Sequence, residues 1–231
     1  MEKVIAALWA DGTRDAFNAR LLASLPRALA EAGASQVRIN LRDDAVEPAA
    51  GLIQRWQDPQ QDAVVQFWLP SANARFRGAI DAALAAHSAR FALWLVAEST
   101  IIPNTAHPVP RGARGWGWSQ ASFISFRPDL LRQDAIAFWH GHHTRIAIET
   151  QANFEYVQNL IVRPLTDNAP AYDAFVEECF PAEAMTSPAA FFDAVGDEDK
   201  FRANLAAMMD SCGRFIDFTR IDIIPTSQHD F

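Results

Sequence analysis

Basic charge is scarce in this chain. Twenty Lys and Arg stand against 28 Asp and Glu, leaving a formal charge of −8 at pH 7 and a pI near 5.2. Phosphate backbones are held by basic faces, so no nucleic-acid partner is expected. Long apolar runs are lacking too. None reaches the roughly eighteen residues that a membrane helix needs, so no membrane partner is expected. Only two cysteines occur, Cys179 and Cys212; they are too few for a disulfide framework, lack metal-site spacing, and read as buried reduced thiols. The glycines of GARGWGW (112–118) have neither the strand before nor the helix after that a dinucleotide loop requires. No nucleophile elbow or Ser-His-Asp order is present. The opening residues MEKVIAALWADGT lack a small-residue cleavage site and read as a first strand ending in a turn at Trp9–Gly12, which leads to the expectation of a cytoplasmic protein.

What is abundant is core material. Half of the 231 residues are hydrophobic and 21% are charged, enough for one large domain or two small ones. Three segments recur in order, half a chain apart. DAVVQFWLP (62–70) matches DAFVEECFP (173–181), FRGAIDAALAA (76–86) matches FRANLAAMMDS (201–211), and SARFALWLVAESTIIP (88–103) matches CGRFIDFTRIDIIP (212–225). Three ordered matches point to two tandem copies. The expected units are 1–103, a Pro- and Gly-rich linker at 104–119, and 120–231.

Both units read β-α-β-β-α-β. In the first, strands at 4–9, 35–42 and 62–69 and a last strand towards Pro103 frame helices at 14–33 and 73–87. In the second, strands at 122–127, 154–162, 172–180 and 220–224 frame helices at 132–151 and 199–211. This order is the split βαβ unit of ferredoxin-like domains. A four-stranded sheet with helices on one side leaves its other, apolar face bare. The expected fold class is therefore α+β: two ferredoxin-like repeats packed sheet to sheet as an intramolecular α+β barrel. A homodimer of such a chain is one assembly this allows.

The residues FISFRPDLLRQDAIAFWHGHHTRIAIE, then YVQNLIV, then FRANLAAMMDSCGRFIDF resemble the EthD-like family of the dimeric α+β barrel superfamily. The resemblance is carried by Trp139 with His143 four residues on, by the Tyr156–Asn159 strand, and by Asp210, Phe215, Ile216 and Asp217. It covers 120–225 well and 1–103 weakly. Arg145 stands where the family usually has proline. Relatives in the superfamily include cofactor-free monooxygenases, isomerases, cyclases and lyases of aromatic or polyketide-like substrates, beside haem-binding members.

Three histidines crowd FWHGHHTRIAIE (138–149). On an α-helix His140 and His143 would share a face and His142 would not. No third ligand follows at a useful offset, so no metal is expected and the cofactor expectation is none. His143 is the candidate proton-transfer residue, set against a bracing role; His140 and His142 read as exposed. Tyr156 and Asn159 sit on opposite faces of a strand by period two. With Trp139 they are the candidate ligand-binding residues, beside Phe123, Phe126 and Phe175 as barrel filling. Asp217 reads as a turn residue. The function these readings imply is binding of a small hydrophobic or aromatic molecule by a cofactor-free lyase, isomerase or oxygenase of a catabolic pathway. The alternative is a non-catalytic ligand-binding or accessory protein of such a pathway, and a haem-associated member is a third reading.

Overall fold

The computed structural model describes residues 1–231. The first half runs β1 (Glu2–Trp9), α1 (Arg14–Glu31), β2 (Ser35–Leu41), β3 (Ala63–Leu69), α2 (Ala74–Ala85) and β4 (Arg90–Ile102). The second runs β5 (Trp118–Ile124), α3 (Arg132–Phe138), a π turn (Trp139–His143), α4 (Thr144–Thr150), β6 (Glu155–Pro164), β7 (Ala174–Phe180), a short α5 (Pro188–Phe191), α6 (Glu198–Gly213) and β8 (Asp222–Asp230). The eight strands form one closed antiparallel barrel in the order β1-β3-β2-β8-β5-β7-β6-β4. The barrel is sealed where β2 pairs with β8 and β4 with β6. The expected α+β barrel is therefore present, but the two four-stranded sets meet edge to edge by hydrogen bonds instead of stacking as separate sheets. Closure removes the exposed edges that an open sheet leaves. No helix is long and apolar enough to cross a membrane.

Both faces of most strands are covered, the second half of β4 and the end of β6 excepted, which explains why alternation in the sequence is faint. On β1, Val4, Ala6 and Leu8 pack outward with Phe17, Leu21, Leu25 and Leu29 of α1, a set spaced to form one helical stripe. Ile5, Ala7 and Trp9 point inward. One half of the barrel interior is plugged with aromatic rings: Trp94 and Phe123 lie 5.2 Å apart, and Phe123 and Phe175 4.8 Å. Phe123 and Phe175 are thus inside as expected. Phe126 is not; it lies under the helices with Trp139 and Phe215. The other half of the interior is polar and lined by charged side chains.

Two strands are displaced from their expected positions. The strand read at 122–127 is β5 at Trp118–Ile124, and the strand read at 220–224 is β8 at Asp222–Asp230. In both places apolar residues just outside the strand (Phe126, Phe215, Ile216) are buried against helices, and burial alone does not distinguish a strand residue from a packed loop. Gly117, just before β5, has φ +68°, and a Cβ there would lie 2.0 Å from the Phe180 carbonyl oxygen. Gly117→Ala is therefore expected to lower stability by about 1–3 kcal/mol, since both the left-handed backbone and the close strand approach exclude a side chain. A urea denaturation midpoint unchanged from the parent would refute this.

Candidate functional site

The site is built on the outer face of β5–β8, beneath α3, the π turn and α6. Period two along β7 sends Val176 and Glu178 outward and Phe175, Glu177 and Cys179 inward. Along β6 it sends Tyr156 outward and Asn159 inward. Between this outer face and the helices lies a cavity of about 200 Å³, lined mostly by apolar side chains such as Ile124, Val176, Met208 and Phe192. His143, Trp139, Tyr156 and Glu178 also line it.

The π turn decides which histidine enters. Thr144 donates both its backbone N–H and its hydroxyl, the latter at 2.9 Å, to the carbonyl of Trp139. This i→i−5 closure widens the turn, as π bulges at functional sites commonly do. Trp139 and His143 are brought to the buried side while His140 stays exposed. The α-helical expectation that His140 and His143 share a face is thereby corrected. Thr144 also accepts from the Gln158 amide at 2.8 Å, and that amide donates to the Tyr156 hydroxyl at 2.7 Å. The bulge and the tyrosine are thus held by one polar chain. Arg145 is exposed and pairs with Glu149 at 2.7 Å.

The polar groups of the cavity are set by burial. His143 Nδ1 lies 2.9 Å from Ser211 Oγ on α6, and its ring is 4.8 Å from Phe215. Burial, then the neighbouring His142, pushes its pKa down to about 4. The imidazole is neutral near pH 7, and Nε2 has no protein partner. Glu178 is 8% exposed and accepts one hydrogen bond, from Asn153 Nδ2 at 3.0 Å. Burial raises its pKa to about 7 and the Asn153 bond only partly offsets this. Burial also pushes up the Tyr156 hydroxyl and lifts the Cys212 thiol to about 12, so neither ionises near neutrality.

Trp139, His143 and Tyr156 therefore meet at one cavity. Asn159 does not join them, because its parity on β6 puts it inside the barrel; the expectation of a single site inside the barrel divides into two places. Asp217 accepts from the backbone N–H and the hydroxyl of Thr219, as a turn residue does. No group of three His, Cys, Asp or Glu is placed to hold a metal ion. Glu178 and Ser211 were not singled out from the sequence. VEEC on a doubly buried strand offered the signal for Glu178, since adjacent glutamates there must enter opposite buried faces.

A closed antiparallel barrel of eight strands, with an apolar cavity under the helices of its second half, defines an α+β barrel protein with one helix-side site. Residues 127–219, which include Trp139, His143, Tyr156, Glu178 and Ser211, match the EthD domain family. Among solved structures the chain is similar to an anthrone oxidase-like protein, with TM-score 0.57 and 7% identity over 100% of this chain and 91% of that one. It is also similar to a protein provisionally named a monooxygenase from Lactobacillus acidophilus NCFM, with TM-score 0.50 and 8% identity over 98% of this chain and 93% of the other. At such identities the likeness concerns the fold. No curated protein matches the chain.

Proposed function

We propose that the helix-side cavity binds a small hydrophobic or aromatic molecule and that the protein catalyses a cofactor-free oxidation of it that begins with proton removal. One observation carries this reading: a carboxyl with a pKa of about 7, Glu178, and a neutral imidazole, His143, line the same apolar cavity. A base whose pKa matches the working pH is the most effective proton acceptor. Glu178 would take a proton from an acidic C–H of the bound molecule. His143 Nε2 and the Tyr156 hydroxyl would hydrogen-bond the oxygen on which negative charge then develops. Trp139 and Phe215, which both line the cavity, supply aromatic surface suited to an aromatic substrate.

The named similarity to an anthrone oxidase-like protein suggests the first substrate class to test. An anthrone has an acidic methylene, and its anion is electron-rich enough to react with oxygen directly. The balanced reaction is anthrone plus O2 giving anthraquinone plus water. Oxygen uptake and quinone absorbance on adding an anthrone to the full chain should both rise above the uncatalysed rate, and His143→Ala should reduce the rise. A lyase or isomerase would share the proton-abstraction step but consume no oxygen. The alternative of a non-catalytic ligand-binding protein is favoured by cavity size, since about 200 Å³ falls below the roughly 300 Å³ at which ligand pockets usually begin. Saturable binding of an anthrone with no oxygen uptake would select it.

We also propose that residues 1–103 and 120–231 are tandem copies joined by 104–119. Supporting this, β4-β1-β3-β2 and β8-β5-β7-β6 follow the same order in the barrel. Gln66 and Glu177, matched in the repeat, meet across it at 2.7 Å.

A further inference from the structure

A polar row crosses the outer face of β6, β7 and β5 beneath the helices. Glu178 on β7 stands between two cross-strand neighbours, Tyr156 on β6 and Gln120 on β5. In-register side chains on adjacent antiparallel strands have Cβ atoms about 4.5–5.5 Å apart, and two strand spacings set the ends of the row roughly 10 Å apart. His143 stands at the Tyr156 end, because Gln158 ties the π turn to β6 through Thr144 at 2.8 Å. The proposed oxidation uses that end and leaves the β5 end idle.

The β5 end is polar and uncommitted. Gln120 and Ser122 share the outward face of β5, and both line the helix-side cavity. Ser122 is 6% exposed, and its hydroxyl has no hydrogen-bond partner in the protein. Unlike the sealed amide of Asn159, that hydroxyl keeps surface open to the cavity. The Gln120 amide, half-buried, is unpaired too. Gln54 adds a third uncharged polar side chain to this end of the cavity: its backbone pairs with Ile223, which lies opposite Ser122 on β8. A nearly buried hydroxyl is costly without a partner, and its absence calls for an explanation. No Lys or Arg lines the cavity, so an anion brought here would be desolvated with no counter-charge. A cation would be drawn to Glu178 and occupy the base. The missing partner is therefore an uncharged polar group.

We propose that Ser122 and Gln120 form a polar subsite that hydrogen-bonds a hydroxyl or carbonyl group of the ligand. The molecule bound here then carries two oxygen functions on opposite edges of an aromatic body that spans Glu178. One faces His143 and Tyr156, and the other faces β5. A serine hydroxyl and a primary amide each donate and accept, so the subsite takes a hydroxyl and a carbonyl alike. The ligand class narrows from any small aromatic molecule to arenes oxygenated at both edges. This inference rests on the reading that the helix-side cavity binds a small aromatic molecule, but not on an oxidation taking place there.

Calorimetric titration of the full chain with 2-naphthol, 2,6-dihydroxynaphthalene and 6-hydroxy-2-naphthoate tests it. The diol should bind about tenfold more tightly than 2-naphthol, the gain expected of one or two added hydrogen bonds, and the naphthoate more weakly than the diol. In the double variant Ser122→Ala, Gln120→Met the diol should lose its advantage, while 2-naphthol binds within about twofold of its affinity for the parent. Neither side chain is bonded elsewhere in the protein, so the variant should keep the parent's melting temperature. Equal binding of the diol and 2-naphthol by the parent would overturn the subsite and leave aromatic binding standing. So would a preference kept by the variant, or a naphthoate that binds as tightly as the diol. If none of the three binds, the cavity does not take aromatic molecules and the subsite falls with it.

Discussion

Glu178→Gln is expected to lower turnover of the proposed oxidation by about 100-fold or more while making the fold more stable at pH 8. The first effect is what removal of a general base typically does. The second follows from burial. The folded carboxyl has a pKa of about 7, above its ordinary value of 4.5, so the fold favours the protonated form. That favourable contribution is complete below about pH 4.5 and is lost as pH rises through about 7. Above that, the native state carries a desolvated charge worth about 3 kcal/mol. Glutamine keeps the oxygen that accepts from Asn153 and never ionises. Melting curves of parent and variant should therefore coincide near pH 4.5, and the variant should melt several degrees higher at pH 8. Turnover of the parent should rise with pH through about 7, and this limb should vanish in the variant. A variant retaining that limb would assign the base elsewhere. His143 acts with the opposite sign on stability. Its folded pKa of about 4 lies below the ordinary 6.5, so its contribution is full above about pH 6.5 and lost on acidification towards 4.

Arg38→Met should destabilise the protein by about 3–5 kcal/mol, the usual effect of stripping one partner from a buried ionic network. Glu177 is wholly buried. Burial opposes its charge, but Arg38 and the amides of Gln228, Gln66 and Asn40 outweigh burial and hold it well below the ordinary carboxylate range. Glu155, where burial prevails over the same arginine, is held above it. Methionine fills much of the arginine's volume and leaves Glu177 charged with only neutral donors, three amides and the Ser119 hydroxyl, around it. At about 2–4 °C per kcal/mol for a chain of this length, the melting temperature should fall by roughly 10 °C at pH 7. The sign with pH is testable too. A depressed carboxylate stabilises above its unfolded pKa and loses that contribution as pH falls through the folded one. Parent stability should therefore drop below about pH 4.5 while the variant, with less to lose, changes less. Arg38→Met combined with Glu177→Gln should recover much of the loss. If the double variant were as unstable as the single one, the arginine would be holding strands by packing and not by charge.

Particular residues show how far the sequence alone reaches. Phe17, Leu21, Leu25 and Leu29 marked α1 because a helix on a sheet buries one stripe. The DAVVQFWLP and DAFVEECFP pair marked β3 and β7 at their correct places. Trp139 and His143 marked the helical segment that matches the EthD domain family, and period two correctly separated Tyr156 from Asn159. Faint alternation hid the rest: Asn40, Gln66 and Glu177 are as buried as the valines beside them, and composition gives no reason to expect a polar barrel interior.

The sequence by itself therefore determined the elements, their order, and which residues share a strand face, because these depend on local periodicity. Three things were decided only by the tertiary structure. The barrel closes through β2–β8 and β4–β6, pairings between residues 54 to 192 positions apart that no local pattern encodes. The π turn rotates His143 inward and His140 out, because the Trp139 carbonyl is claimed by Thr144 and not by the α-helical partner. And the strand walls separate Glu178 from Glu177, adjacent in sequence. Burial raises the first towards neutrality on one side, while Arg38 and three amides keep the second charged on the other.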